Sequence, residues 1–274
     1  MKNHMLAISL LILLTAPVLP LLPGGEGSVS DPDGYGYKIV DGNEPEPVLE
    51  FDYVNIRSDP NVVEWDTSNY ETLIQANLGF NFDYYGTSYS KIYVSTFIAM
   101  SFVENSASSF RYYYQKTMPS TGSPKGLIAV YFNNNNCYDR SSKRLYTLQT
   151  TIDGEKAFIV EWNPTSGGKI QAILFEGGMI EFQYQSLPSW PNPVGSYTLI
   201  GIENPAGSTA SVYSNNEYLS TALFTPPFAI AFVRDEIKIR AVGLLNGDGK
   251  WGDTVYAGAK PYHCLLYTSD AADE

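Results

Sequence analysis

Two acidic residues on strand-like runs are the first candidates for chemistry: Glu161 in "FIVEWNP" and Glu181 in "MIEFQY". Paired carboxylates across a cleft hydrolyse glycosidic bonds, and their separation sets the stereochemical outcome. The alternation in "IEFQYQ" puts Glu181 opposite Ile180, Phe182 and Tyr184, on the face that antiparallel sheets commonly turn to water. Surface charge is therefore the simpler role for both acids, and a glycosidase using Glu161 and Glu181 is the alternative. No other catalytic set can be assembled. The two histidines are His4 and His263, outside the central body, so a Ser-His-Asp or Cys-His device there has no base. The usual zinc sites lack their ligands for the same reason. The expectation is a chain with no catalytic residues.

Calcium is the one ion the sequence suggests. Asp31, Asp33, Asp41, Asn43 and Glu44 lie in "SDPDGYGYKIVDGNE", where two loops flank one strand, and oxygen ligands of this kind suit a hard cation. A solvated acidic segment is the competing reading, with no cofactor at all. "NGDGKWGD" fails as a calcium loop: with Asp248 and Gly249 at its fifth and sixth positions, Leu244 and Val255 fall where the first and twelfth ligands belong. The aromatics offer a binding surface instead. In "FRYYYQK" three consecutive tyrosines, Tyr112, Tyr113 and Tyr114, cannot all face one core if extended. Trp190 sits between prolines in "LPSWPNPVGSY". Exposed Tyr and Trp bind well because each offers a rigid apolar face and a polar tip. An extracellular protein or a glycan is the expected partner for these four residues, and strand packing is their other use.

The elements that would position such residues are strands. "LYTLQTTIDGEKAFIVEW" is two alternating runs joined at Asp153-Gly154, the dipeptide that type I′ hairpins favour. "IQAILFEGGMIEFQYQ" turns at Gly177-Gly178. "YGYKIV", "LEFDYVNI", "LGFNFDYYG", "KIYVSTFIAMSF", "GLIAVYF", "YTLIGIE", "ASVYS" and "FAIAFVRD" continue the pattern. So many short antiparallel strands would leave one apolar face bare in a single open sheet. The expected fold is all-β, an antiparallel two-sheet sandwich, with a jelly-roll as the alternative.

The ends differ from this body. "MKNHMLAISLLILLTAPVLPLLPGG" has a basic Lys2 and an apolar run broken by Pro17 and Pro20, which reads as a secretory signal peptide over residues 1–29. A secreted or cell-surface location follows, with no transmembrane segment apart from that peptide. Residues 30–235 form the sandwich domain, and 236–263 read as a linker or the opening of a second module. The tail "CLLYTSDAADE", 264–274, resembles a translated sequencing-adapter scar and is left out of the fold reasoning. Without it only Cys137 remains, so a disulfide framework is not expected.

Charge narrows the partners. The chain carries a net charge of −12, and the acidity is local. Eleven acids face two bases between Asp31 and Glu71, whereas fourteen of each balance between Thr72 and His263. Nucleic-acid binding needs clustered Lys and Arg, and no such cluster exists.

Four segments in order, "LGFNFDYYGTSYSKIYVSTFIAMSF", "FIVEWNP", "ILFEGGMIEFQY" and "IGIENPAGS", resemble the nidogen-like β-sandwich modules of bacterial and archaeal surface proteins. The resemblance spans roughly Gly34 to Asp235 and takes in "DGYGYKIVDGNEPE" at its start. It implies a non-enzymatic extracellular module for adhesion, display or substrate targeting, or the accessory domain of an exported peptidase. One departure stands out. Where the family has an Asn-Gly turn after "VS", this chain has Phe97-Ile98, which disfavours a tight primed turn.

Overall fold

The computed structural model describes residues 32–42, 49, 51–111, 117–133, 135, 137–189, 197–218 and 224–234. Thirteen strands form among them. The first half of the chain supplies β1 (Tyr37–Asp41), β2 (Val63–Trp65), β3 (Leu73–Tyr84), β4 (Thr87–Ser95), β5 (Ala99–Ser101) and β6 (Leu127–Phe132). Two hairpins follow, β7 (Leu145–Ile152) with β8 (Glu155–Trp162) and β9 (Lys169–Phe175) with β10 (Ile180–Ser186). The last strands are β11 (Tyr197–Glu203), β12 (Ala210–Tyr218) and β13 (Phe228–Arg234). They make two antiparallel sheets, ordered β1-β13-β10-β9-β8-β7-β2 and β12-β11-β6-β5-β4-β3. The all-β, two-sheet architecture is the one expected.

Local chemistry explains the turns. Asp153 and Gly154 both take positive φ, 49° and 85°, as a primed two-residue hairpin requires. The β4–β5 connection at Phe97-Ile98 is not a two-residue primed turn, since Ile98 alone takes positive φ there. Thr96, Phe97 and Ile98 make a tight three-residue turn, since Ser95 pairs with Ala99. Ile98 carries the strain, a β-branched residue at φ 56°. Its carbonyl accepts the N–H groups of Val130 at 3.2 Å and Tyr131 at 3.1 Å, and its side chain is buried in the inter-sheet core. Burial and the β6 backbone hold a conformation that local propensity alone would not choose.

Between the sheets, Phe158, Val160 and Trp162 of β8 and Phe182 and Tyr184 of β10 meet Ile92 and Val94 of β4 and Ile128 and Val130 of β6. Two aromatic tips cross this core. The Trp162 indole N–H donates to the Ser95 carbonyl at 2.8 Å, and the Tyr184 hydroxyl donates to the Val130 carbonyl at 2.6 Å. Each bond satisfies a polar atom that burial would otherwise penalise and ties one sheet to the other.

Both sheets are also covered over part of their outer faces, while the outward residues of β3, Gln75, Asn77, Asn81 and Asp83, stay exposed. Phe110 and Met118, from the β5–β6 connection, pack on Phe97, Leu127, Ala129 and Leu199 of the second sheet. Over the first sheet, Leu49, Val54, Ile56 and Val62 pack on Tyr146, Leu148, Ile159, Ile173 and Ala231. The run 49–56, read from sequence as a strand, is therefore, at Leu49 and residues 51–56, a strap outside the strand ladder. Strands covered twice read as unbroken apolar runs, which accounts for the wholly buried "LIAVYF" of β6.

Cys137 lies inside the core, and burial pushes its thiol well above the usual range. In a Cys264→Ser variant, a thiol reagent such as DTNB should label no site in the native protein and one after unfolding. Rapid native labelling would contradict the burial.

Candidate functional site

The two candidate acids occupy the outer face of the first sheet, under the strap. Glu161, Gln171 and Gln183 are cross-strand neighbours on β8, β9 and β10, and together they form a polar row across an apolar face. Glu161 Oε1 accepts from Arg57 Nε at 2.6 Å and from Asn163 Nδ2 at 3.2 Å. Its Oε2 accepts from Gln171 Nε2 at 3.0 Å. Gln171 bonds the strap backbone in both directions, accepting from the Val54 N–H at 3.2 Å and donating to the Val54 carbonyl at 2.6 Å. Gln183 Oε1 accepts from the Asp52 N–H at 3.2 Å, and its amide donates to Glu181. Side chains thus replace the neighbouring strand that the strap's backbone lacks. Burial, and then the nearby Glu161 carboxylate, raise the pKa of the Tyr53 hydroxyl.

Glu161 and Glu181 are each 2% exposed, so neither is open to a glycan or to bulk water. The expected solvated face is corrected here: the alternation holds, but the strap covers it. The two carboxylates hold structure rather than face each other across a cleft.

The candidate calcium residues are dispersed. Asp33 sits in a turn that folds back onto Tyr37, its N–H donating to the Tyr37 carbonyl at 2.9 Å, and Asp41 closes β1 at the other end, roughly 13 Å along the strand, so one ion cannot take both. Asp33 Oδ1 accepts the N–H groups of Tyr35, Gly36 and Tyr37, each at 2.9 Å. Its Oδ2 accepts the Tyr85 hydroxyl at 2.5 Å. Asp41 accepts the Tyr213 hydroxyl at 3.1 Å. Burial and these carboxylates push both tyrosine pKa values up. Asp31, Asn43, Glu44, Tyr112, Tyr113, Tyr114 and Trp190 lie outside the described residues. Among the described residues no group of three or more His, Cys, Asp or Glu is placed to hold a metal.

A different set of residues makes a cleft. At one side of the sandwich the edge strand β2 of the first sheet and the edge strand β3 of the second leave a gap of about 490 Å³. Val63 and Trp65 of β2 and Thr147 and Gln149 of β7 line one wall, with Gln75 and Asn77 of β3 on the other. Trp65 packs partly on the inter-sheet core. Val63, two residues away on the same side of the strand, is 46% exposed at the gap. The Trp65 indole N–H donates to Thr147 Oγ1 at 3.0 Å, which fixes the ring. Gln149 Nε2 donates to the Asn77 carbonyl at 2.8 Å and ties the two walls together. Gly79 makes room for that link: a Cβ there would sit 2.8 Å from Gln149 Oε1, and its φ of +86° suits glycine. Sequence reading missed this site. Its signal was the alternation of "VEW" at 63–65 and of Gln75 and Asn77 within β3, but edge-to-edge juxtaposition is a tertiary fact.

Two packed antiparallel sheets with an open edge cleft define an all-β sandwich. The NIDO-related family profile matches residues 49–228, and the chain belongs to that family. Neither the curated proteins nor the solved structures gave a match.

Removing the Glu161 carboxylate should leave Arg57, Asn163 and Gln171 without their shared acceptor. Glu161→Ala is expected to cost about 3 kcal/mol, a fall in Tm of roughly 6–12 °C in thermal unfolding. An unchanged Tm would show that the row does not hold the strap.

Proposed function

We propose that this chain is a non-catalytic binding module of an exported protein, carrying the parent molecule to an extracellular polymer or surface through the β2–β3 cleft. The observation that carries this reading is the placement of the cleft. The domain's chain begins and ends on neighbouring strands, with Tyr37 of β1 paired to Arg234 of β13. The cleft borders β2, at the opposite edge of a seven-stranded sheet. Six strand spacings of about 4.8 Å put roughly 29 Å between them. A module joined to its neighbours along one edge therefore presents its cleft on the other. Membership of a family of generally non-catalytic, typically extracellular domains supports the same reading, as does the burial of Glu161 and Glu181. Adhesion and substrate targeting are both served by such a geometry, and an exported peptidase is one parent that would use it.

The test is co-sedimentation of the full chain with insoluble cell-envelope material and with insoluble polysaccharides. Retention is expected, with a loss of about tenfold or more in Val63→Glu, which puts a charge in the cleft mouth. Thr87→Ala, at the β3–β4 turn, should behave as the parent protein does. Retention that ignores Val63→Glu would overturn the assignment of the cleft, and release of soluble sugar by the purified chain would overturn its non-catalytic character.

A further inference from the structure

We propose that the β2–β3 cleft takes a neutral glycan chain, bound along β3 with one sugar against Trp65. This rests on the reading of the cleft as the binding site and adds the chemistry of its ligand.

The lining suits such a ligand. Four carboxamides, Asn61, Gln75, Asn77 and Gln149, surround one indole, that of Trp65. In a chain of net charge −12, the described lining contains no charged side chain. An ionic ligand would find no counter-charge there, whereas a neutral polyhydroxylated one loses nothing by that absence. Each carboxamide offers both a donor and an acceptor, the combination that vicinal hydroxyls need, since each hydroxyl gives and receives. Among the described residues the side-chain amides of Asn61, Gln75 and Asn77 make no hydrogen bond within the protein. They remain available to a ligand. An indole face supplies the remaining element, because the C–H face of a pyranose is apolar and matches the electron-rich ring.

The wall is also held in place before any ligand arrives. Thr147 occupies the Trp65 N–H and Gln149 spans to the β3 backbone, so little side-chain freedom is lost on binding at these positions. The hollow continues. At Asn77 it meets a second one of about 470 Å³, bordered by Asn81, Ser90 and the Lys156–Glu176 ion pair. A run of two such hollows along one strand suits a chain of several sugars better than a single one.

A peptide pairing with the free edge of β3 is the main competitor, as exposed edges invite it. Two features disfavour it. The Asn77 carbonyl, which faces the open edge, already accepts from Gln149. The β3–β4 ladder also shifts register between Asn77 and Phe82, and an irregular edge pairs less readily with an added strand.

The experiment is isothermal titration of the full chain with neutral tetrasaccharides of glucose, xylose, mannose, galactose and N-acetylglucosamine. Tetragalacturonate serves as the anionic probe and an alternating Thr-Val heptapeptide as the strand probe. At least one neutral tetrasaccharide should bind, more tightly than its disaccharide, and tetragalacturonate should not. Gln75→Ala, an exposed position, should weaken binding about fivefold or more, and Trp65→Phe should weaken it while leaving Tm within a few degrees. Failure of every neutral sugar, or binding of the heptapeptide in their place, overturns the proposal. If envelope retention still depends on Val63 in that case, the cleft remains a binding site and only its ligand class is wrong. If sugars bind but the envelope does not, the targeting role fails and the glycan site stands.

Discussion

The hydrogen-bonded row of Glu161, Gln171 and Gln183 governs how this domain is put together. These residues lie on a face that is otherwise apolar, and their partners are the backbone at Asp52 and Val54 and the side chain of Arg57. Buried polar groups without partners are costly, so the row and the strap need each other. Arg57 adds a second anchor, with its guanidinium 4.7 Å from the Tyr146 ring centroid. Once fixed, the strap runs through a short turn, in which Asp59 and Val62 are tied by a 3.2 Å backbone hydrogen bond, directly into β2. The position of Val63 and Trp65 is therefore set from the far side of the sheet. The cleft depends on the clamp although no member of the row touches it.

The same dependence explains what could be read from the sequence. Asp153-Gly154 announced its turn because the requirement for positive φ is local. The alternation of Ile180, Phe182 and Tyr184 announced an inward face because side-chain direction in a strand is local too. What covers the other face is not. Glu181 and Gln183 have the pattern of a solvated face and are buried, because a strap more than a hundred residues away in sequence lies over them. Residues 51–56 have strand composition yet sit outside the ladder, as glutamine side chains partner the backbone at Asp52 and Val54. Ile98 takes a conformation that its own residue type resists, held by contacts with β6. The candidate site shows the limit most plainly: Trp65 and Gln75 are adjacent through the meeting of two sheet edges, which no short motif encodes.

The strap over the first sheet and the β5–β6 connection over the second cover the middle of each outer face and leave the edge strands exposed. One edge of the first sheet carries the chain in and out, through β1 and β13. The other, at β2, faces β3 across the cleft. A carboxylate pair suited to hydrolysis by composition is instead spent on holding the strap, while neutral amides and an indole occupy the open site. Uncharged donors and acceptors thus line the far edge, and the carboxylates lie buried inside.

The most direct measurement is a backbone and side-chain amide chemical-shift map of the isotopically labelled chain during titration with a neutral tetrasaccharide. Binding in the β2–β3 cleft predicts shifts concentrated at Asn61–Trp65, at Gln75 and Asn77, and at the Gln149 side-chain amide, with the strap at Asp52–Val54 unmoved. Shifts confined to the β1–β13 edge, or spread through the strap with none at Trp65, would contradict it.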